Sequence, residues 1–268
     1  MMNPLLQVDA LTIKLKEQYL VQNVHFDLHQ HQCLGIVGES GSGKSITCKA
    51  IMGLLPQNFT TDGQIWWDNK NLLEASPSEI RALRGNDISM ILQNPMTAFN
   101  PIFTIGNQMQ EMIRAHLQVS KGEALEMACA ALSKMLLKQP EVILKKYPHE
   151  LSGGMLQRIM IANALVLNPS LIIADEPTTA LDAVTQKEVM YELQQLQQEL
   201  DSSMIIISHD LAVVANLAQD VLVMNHGQQV EHGSVEQIFA NPKDDYTRYL
   251  LNTKLAMLKK YESVLGGI

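Results

Sequence analysis

The sequence predicts an α/β fold: a parallel-sheet core, an antiparallel β subdomain and an inserted helical subdomain. Three observations lead there. The opening third alternates apolar and polar residues, as half-buried strands do. Short wholly apolar runs recur at Cys33–Val37, Ser170–Ala174 and Met204–Ser208. Helical spacing of apolar residues fills the stretches between them, which is the pattern of buried parallel strands joined by crossovers. With 268 residues, 46% hydrophobic and 18% charged, the chain has the composition of a globular protein, not of a disordered or fibrous one.

Taken in order, Leu6–Lys14 and Val21–Leu28 read as antiparallel strands. Cys33–Val37 reads as a buried parallel strand that stops at Gly38, and a helix pattern begins at Lys44. Gly63–Trp67 is a short strand, followed by a polar segment and the strand Ile88–Leu92. Residues from about Thr104 to Leu137 are helical, with apolar positions three and four apart over Ala124–Leu137. Thr185–Leu200 is a Gln- and Glu-rich helix carrying Val189, Leu193 and Leu196 on its apolar face. A β-rich stretch, Val221–Val230, and a helical tail after Tyr246 complete the chain. The expected organisation is a core with a β subdomain over 1–95 and 165–240, a helical subdomain over 96–164 and a C-terminal helical tail over 241–268.

Charge and cysteine usage narrow the function classes. Lys+Arg 20 against Asp+Glu 28 gives a formal net charge of −8, a poor field for wrapping nucleic acid, so no nucleic-acid partner is expected. Cys33, Cys48 and Cys129 are odd in number and lack CxxC spacing, which argues against a disulfide framework or zinc ribbon. The N-terminus lacks the basic flank and apolar run of a signal peptide. The best apolar stretch, around Met204 to Met224, is interrupted by His209, Asp210 and Asp220, so any membrane-spanning helices must come from a partner. His29-Gln30-His31-Gln32 reads as a polar turn between strands and not as a metal site, and Cys48 as a small core residue.

Gly38-Glu39-Ser40-Gly41-Ser42-Gly43-Lys44-Ser45 fits GxxxxGK[ST], with an apolar strand before it and a helix after it. Glycines let the loop fold tightly so that successive N–H groups face phosphate oxygens, and the helix adds its positive end. Lys44 would reach the β- and γ-phosphates and Ser45 would ligate Mg2+. Leu171–Glu176 is a buried strand ending in two acids: Asp175 is placed to hold the magnesium shell and Glu176 to act as general base on the attacking water. Leu151-Ser152-Gly153-Gly154-Met155-Leu156-Gln157-Arg158 opens an apolar helix with a second anion-ready N-terminus, for which a plain helix start capped by Ser152 is the structural alternative.

That last segment resembles the LSGGQ signature, with Met155 in place of the usual Gln. The chain resembles, over nearly its whole length and in motif order, the nucleotide-binding subunits of ATP-binding-cassette transporters. The resemblance implies a P-loop NTPase (RecA-like) core, with ATP and Mg2+ as ligands. It further implies Gln93 as the Q-loop glutamine, in contact with the metal and γ-phosphate, Asp182 as the D-loop acid and His209 as the switch histidine. Family members dimerise head to tail, so Lys44, Gln93 and His209 of one subunit would face Ser152, Gly153 and Gly154 of the other across ATP. Two positions depart from the family: Met155 lacks the amide of Gln, and Leu15 stands where an adenine-stacking aromatic is usual, with Tyr19 nearby.

Gln93-Asn94-Pro95-Met96-Thr97-Ala98-Phe99-Asn100-Pro101, Tyr147-Pro148 and Tyr246-Thr247-Arg248-Tyr249-Leu250-Leu251 resemble the peptide/nickel importer group. Many peptide-type members continue past that tail with a cysteine-containing extension, and the chain is most similar to the nickel or metallophore-linked members. The implied partners are membrane-spanning permease subunits, a second ATPase subunit (a different paralogue or a second copy) and, indirectly, an extracytoplasmic solute-binding protein. The implied place is peripheral, on the cytoplasmic face of the inner membrane. Rival readings are a peptide importer ATPase, a soluble cassette protein of translation or repair, and a P-loop kinase. A single phosphate loop, a short helical middle and the signature segment argue against the last two.

Overall fold

A computed structural model describes residues 3–178, 186, 189–195 and 201–253. The chain forms two compact units, Met1–Ala75 with Ile206–Ile268, and Ser76–Ile205. The helical region expected over 96–164 lies inside the second unit together with strands, and the described part of the tail belongs to the first.

The first unit begins with β1 (Leu6–Leu15) and β2 (Gln18–Leu28), joined by a tight turn and paired antiparallel, with Leu6 opposite Leu28 and Leu15 opposite Gln18. Their alternation puts Leu6, Val8, Leu11 and Ile13 inward, each at most 2% exposed. Register shifts at Val8/Leu11 and Leu11/Ile13 mark bulges that twist the pair. β3 (Cys33–Val37) is buried at every residue and leads through a six-residue loop into α1 (Lys44–Ile51). The small strand expected at Gly63–Trp67 is the C-terminal half of β4 (Phe59–Trp67), which pairs antiparallel with β1 and with β5 (Lys70–Asn71).

In the second unit, α2 (Pro77–Leu83) occupies the segment that composition marks only as polar. Its Ser76–Glu79 capping box and N-terminal proline are a helix-start signal that apolar periodicity alone overlooks. β6 (Ile88–Ile91) follows, then the single turn α3 (Pro95–Ala98), α4 (Ile105–His116) and α5 (Lys121–Lys134). The region expected as one helical stretch is thus broken at Leu117–Val119. There Arg114 Nε donates to the Val119 carbonyl, and Ser120 with Glu123 caps a new helix. Ile105, Met109 and Ile113 bury one face of α4; Ala124, Ala128 and Ala131 bury α5, small residues that admit close helix approach. A methyl on Gly106 would stand 2.7 Å from the Leu144 carbonyl, next to α6 (Pro140–Ile143). α7 (Gly153–Leu165) is apolar nearly all round and buried accordingly. β7 (Leu171–Asp175) pairs in parallel with β6, and residues 189–195 are helical with Val189 and Leu193 fully buried.

β8 (Ser203–Ile207) carries the chain back to the first unit. After the helix Leu211–Leu217 the β-rich stretch resolves into a hairpin of β9 (Asp220–Asn225) and β10 (Gln228–Ser234). β9 pairs in parallel with β3, Val37 against Val223, which places residues late in the chain directly behind the glycine loop. The helix Val235–Ala240 and a final helical segment, 245–253, follow. Among the described residues no helix is long and apolar enough to cross a membrane.

Candidate nucleotide site

The loop Gly38–Gly43 is held by backbone geometry that only glycine accepts cheaply. Gly38 has φ 149°, and a Cβ there would lie 2.1 Å from the Met224 carbonyl of β9. Gly43 has φ 102° and starts α1 in the left-handed region with no side-chain cap and no acid in the first turn, so the positive end of the helix faces the loop. The Ser42 N–H donates to the Glu39 carbonyl across the turn (3.2 Å), and the Gly227 N–H of the β9–β10 turn donates to the Ser42 carbonyl (3.1 Å).

Lys44 is 5% exposed. Its ammonium donates to the Gly38 carbonyl (2.9 Å), the Glu39 carbonyl (2.7 Å) and Ser42 Oγ (3.3 Å). These three oxygens hold the ammonium at the loop, and an ammonium forms its stronger, charge-assisted hydrogen bonds with anions such as phosphate. Glu39, Ser40 and Gly41 lie exposed at the loop's outer edge and Ser45 is half-buried on α1. In the same unit, exposed His209 follows β8 between buried Ser208 and half-buried Asp210. The Asp210 N–H donates to Ser208 Oγ (3.0 Å), and Asp210 caps the next helix through the Ala212 N–H (2.9 Å), so the turn carrying the imidazole is tied on both sides.

In the second unit β6 and β7 run in parallel with Ile91 opposite Ala174. Gln93 and Glu176 each follow that pair by two residues, so the two side chains emerge together at the same sheet end. Gln93 Nε2 donates to Glu176 Oε2 at 2.7 Å. Asp175 is 5% exposed at the tip of β7, and Glu176 is half-buried with φ 47°, a left-handed conformation unusual for a residue with a side chain. Ser152 is exposed and caps α7, accepting from the Met155 N–H at 3.3 Å. A Cβ on Gly153 would meet nothing within 4 Å, so the helix start is open in front of the glycine. Behind it, Arg158 and Glu192 form an ion pair at 3.2 Å, with side chains 18% and 5% exposed. Asp182 lies outside the described residues. Leu15 is half-buried at the end of β1, and Tyr19 is 51% exposed with Lys14 Nζ 4.6 Å above its ring.

Tyr246 is a contact that motif reading does not deliver. Its hydroxyl accepts the Glu39 N–H at 3.0 Å. Burial pushes the Tyr246 phenol above its ordinary range. Of the cysteines, Cys33 is pushed up to about 12 by burial and Cys48 is fully buried in α1.

A buried strand, a glycine loop with an enclosed lysine, and a helix N-terminus, set in an α/β fold, define a P-loop nucleotide-binding protein. A family model for the ABC transporter matches residues 21–179. Over 265 residues, 98% of both chains, the protein is 45% identical to the metal-staphylopine import system ATP-binding protein CntD of Staphylococcus aureus. It is 44% identical over 270 residues to the oligopeptide transport ATP-binding protein OppD of Bacillus subtilis, covering 98% of this chain and 75% of that one. The post-hydrolysis dimer of the ATP-binding cassette MJ0796 bound to ADP and Pi matches with a TM-score of 0.76 at 26% identity, over 86% of this chain and 98% of that one. The chain belongs to the ABC transporter family, as an ATP-binding and ATP-hydrolysing subunit of an importer.

Proposed function

We propose that this subunit powers uptake of nickel or another metal as a chelate, hydrolysing ATP at the residues described above. The observation that carries the substrate class is the 45% identity to a metal-staphylopine import ATPase, sustained over 98% of both chains. A peptide substrate is the second reading, favoured by 44% identity to OppD and 46% to the dipeptide transport ATP-binding protein DppD of Bacillus subtilis. Uptake of radiolabelled nickel, with and without the metallophore, against uptake of a labelled dipeptide in a deletion strain separates the two. Peptide uptake lost with metal uptake intact overturns the metal reading.

At the site, the loop N–H groups and the N-terminus of α1 receive phosphate oxygens, and Lys44 neutralises the β- and γ-phosphates. Ser45, Gln93 and Asp175 are oxygen donors of the kind Mg2+ takes, and Asp175 at its buried strand tip fits that role. The metal, when bound, offsets phosphate charge. Glu176 polarises the attacking water as general base, with Gln93 Nε2 fixing its carboxylate. His209 contacts the γ-phosphate, and Asp182, the D-loop acid, belongs to the nucleotide-binding set. Ser152, Gly153 and Gly154 serve a nucleotide held by a second ATPase subunit, so that ATP joins the two and hydrolysis releases them.

An importer ATPase partners membrane-spanning permease subunits. In this reading the second ATPase is a paralogue or another copy, and a solute-binding protein delivers the substrate from outside. The subunit itself sits peripherally on the cytoplasmic face of the membrane.

A further inference from the structure

We infer that Tyr246 is a positioning residue for nucleotide binding, acting on Lys44 through the Gly38–Glu39 peptide group. That single amide has a partner at each end. Its carbonyl, on Gly38, accepts from Lys44 Nζ at 2.9 Å; its N–H, on Glu39, donates to the Tyr246 hydroxyl at 3.0 Å. An amide that donates at one end and accepts at the other is polarised by both bonds, and each strengthens the other. Tyr246 therefore fixes the plane of the amide whose oxygen aims the lysine.

The tyrosine is itself held in place by a chain of hydrogen bonds that begins and ends on the glycine loop. Gly227 donates to the Ser42 carbonyl, and β10 runs from there to Glu231. The Glu231 carboxylate accepts the N–H groups of Lys243 (2.8 Å) and Asp244 (3.1 Å). Asp244 Oδ1 then accepts from the N–H groups of Tyr246 (2.8 Å) and Thr247 (3.3 Å), capping the segment 245–253. Tyr246, on its first turn, returns to Glu39. The loop is braced on both flanks, at Ser42 by the hairpin and at Glu39 by the tyrosine.

The inference rests on the phosphate-loop reading above, and its test keeps the two apart. Affinity of the purified full-length chain for a fluorescent ATP analogue is measured together with KM and kcat of the assembled transporter. A neutral hydrogen bond of this kind is worth about 0.5–1.5 kcal/mol. Tyr246→Phe is therefore expected to raise Kd and KM roughly 2- to 10-fold, with kcat changed less than about 2-fold and the nucleotide-free melting temperature unmoved. Glu231→Ala, which releases the turn without touching the ring, shifts Kd in the same direction, and the double variant falls short of the summed effects. An unshifted Kd in Tyr246→Phe, or a lowered kcat and melting temperature at constant KM, overturns the tether. So does an unshifted Kd in Glu231→Ala. Lys44→Ala is the control: if it binds nucleotide like the parent chain, the phosphate-loop reading fails and the inference with it.

Discussion

At Glu176 the backbone sits at φ 47°, a conformation that costs a residue with a side chain about 1–2 kcal/mol. Glu176→Gly is accordingly expected to match or exceed the parent in a denaturant titration while losing ATPase activity. Glu176→Gln should keep nucleotide-dependent association but lower turnover roughly 10²- to 10⁴-fold, the usual share of a general base. Parent-level turnover in a coupled phosphate-release assay would remove the carboxylate from that role. Gly38 is constrained the other way: Gly38→Ala pushes a methyl to 2.1 Å from the Met224 carbonyl, and loss of ATP-analogue binding together with a lower melting temperature is expected. The placement of Lys44 at a helix start behind a buried strand, and of Asp175 and Glu176 at a strand tip, could be read from the sequence because motif and apolar pattern coincide there. Tyr246 could be noticed only as part of a family tail, since a hydrogen bond to a backbone N–H some 200 residues earlier leaves no mark in local pattern.

Elements that announce themselves by apolar spacing, β1, β2, β3, α5, β7 and β8, fall where the pattern puts them to within a few residues, whereas the break that separates α4 from α5 does not show in that spacing. Those defined by polar end signals do not: α2 is marked by a capping box instead of an apolar stripe, and the β9–β10 turn hides inside one continuous β-rich stretch. The signature helix combines both kinds of information, and its first residue can be dissected. As a cap, Ser152 contributes about 1 kcal/mol, so Ser152→Ala should lower stability by that order in chemical denaturation. Ser152→Asp keeps an excellent cap yet sets a negative charge where a phosphate is proposed to arrive. Parent-like stability combined with loss of ATP-driven subunit association is the expected result; intact association would leave Ser152 with capping alone.

At the scale of the whole molecule, the C-terminal turn is one place where acid is expected to weaken the fold. Burial alone would raise the Glu231 carboxyl, but the N–H groups of Lys243 and Asp244 and the Lys243 charge outweigh it and hold it below the ordinary glutamate range. A depressed folded value means that its stabilisation is present above about pH 4.5 and is lost as pH falls through the folded value. Melting temperature against pH should therefore drop less steeply on the acid side for Glu231→Gln than for the parent chain. The composition of the two units has a further effect during synthesis. Ser76–Ile205 is continuous in sequence, whereas the glycine loop near the front of the chain is backed by Met224, Gly227 and Tyr246 near its end. A nascent polypeptide stalled before residue 224 carries every letter of the phosphate motif without the scaffold behind it, so retention on immobilised ATP should begin only when translation is nearly complete.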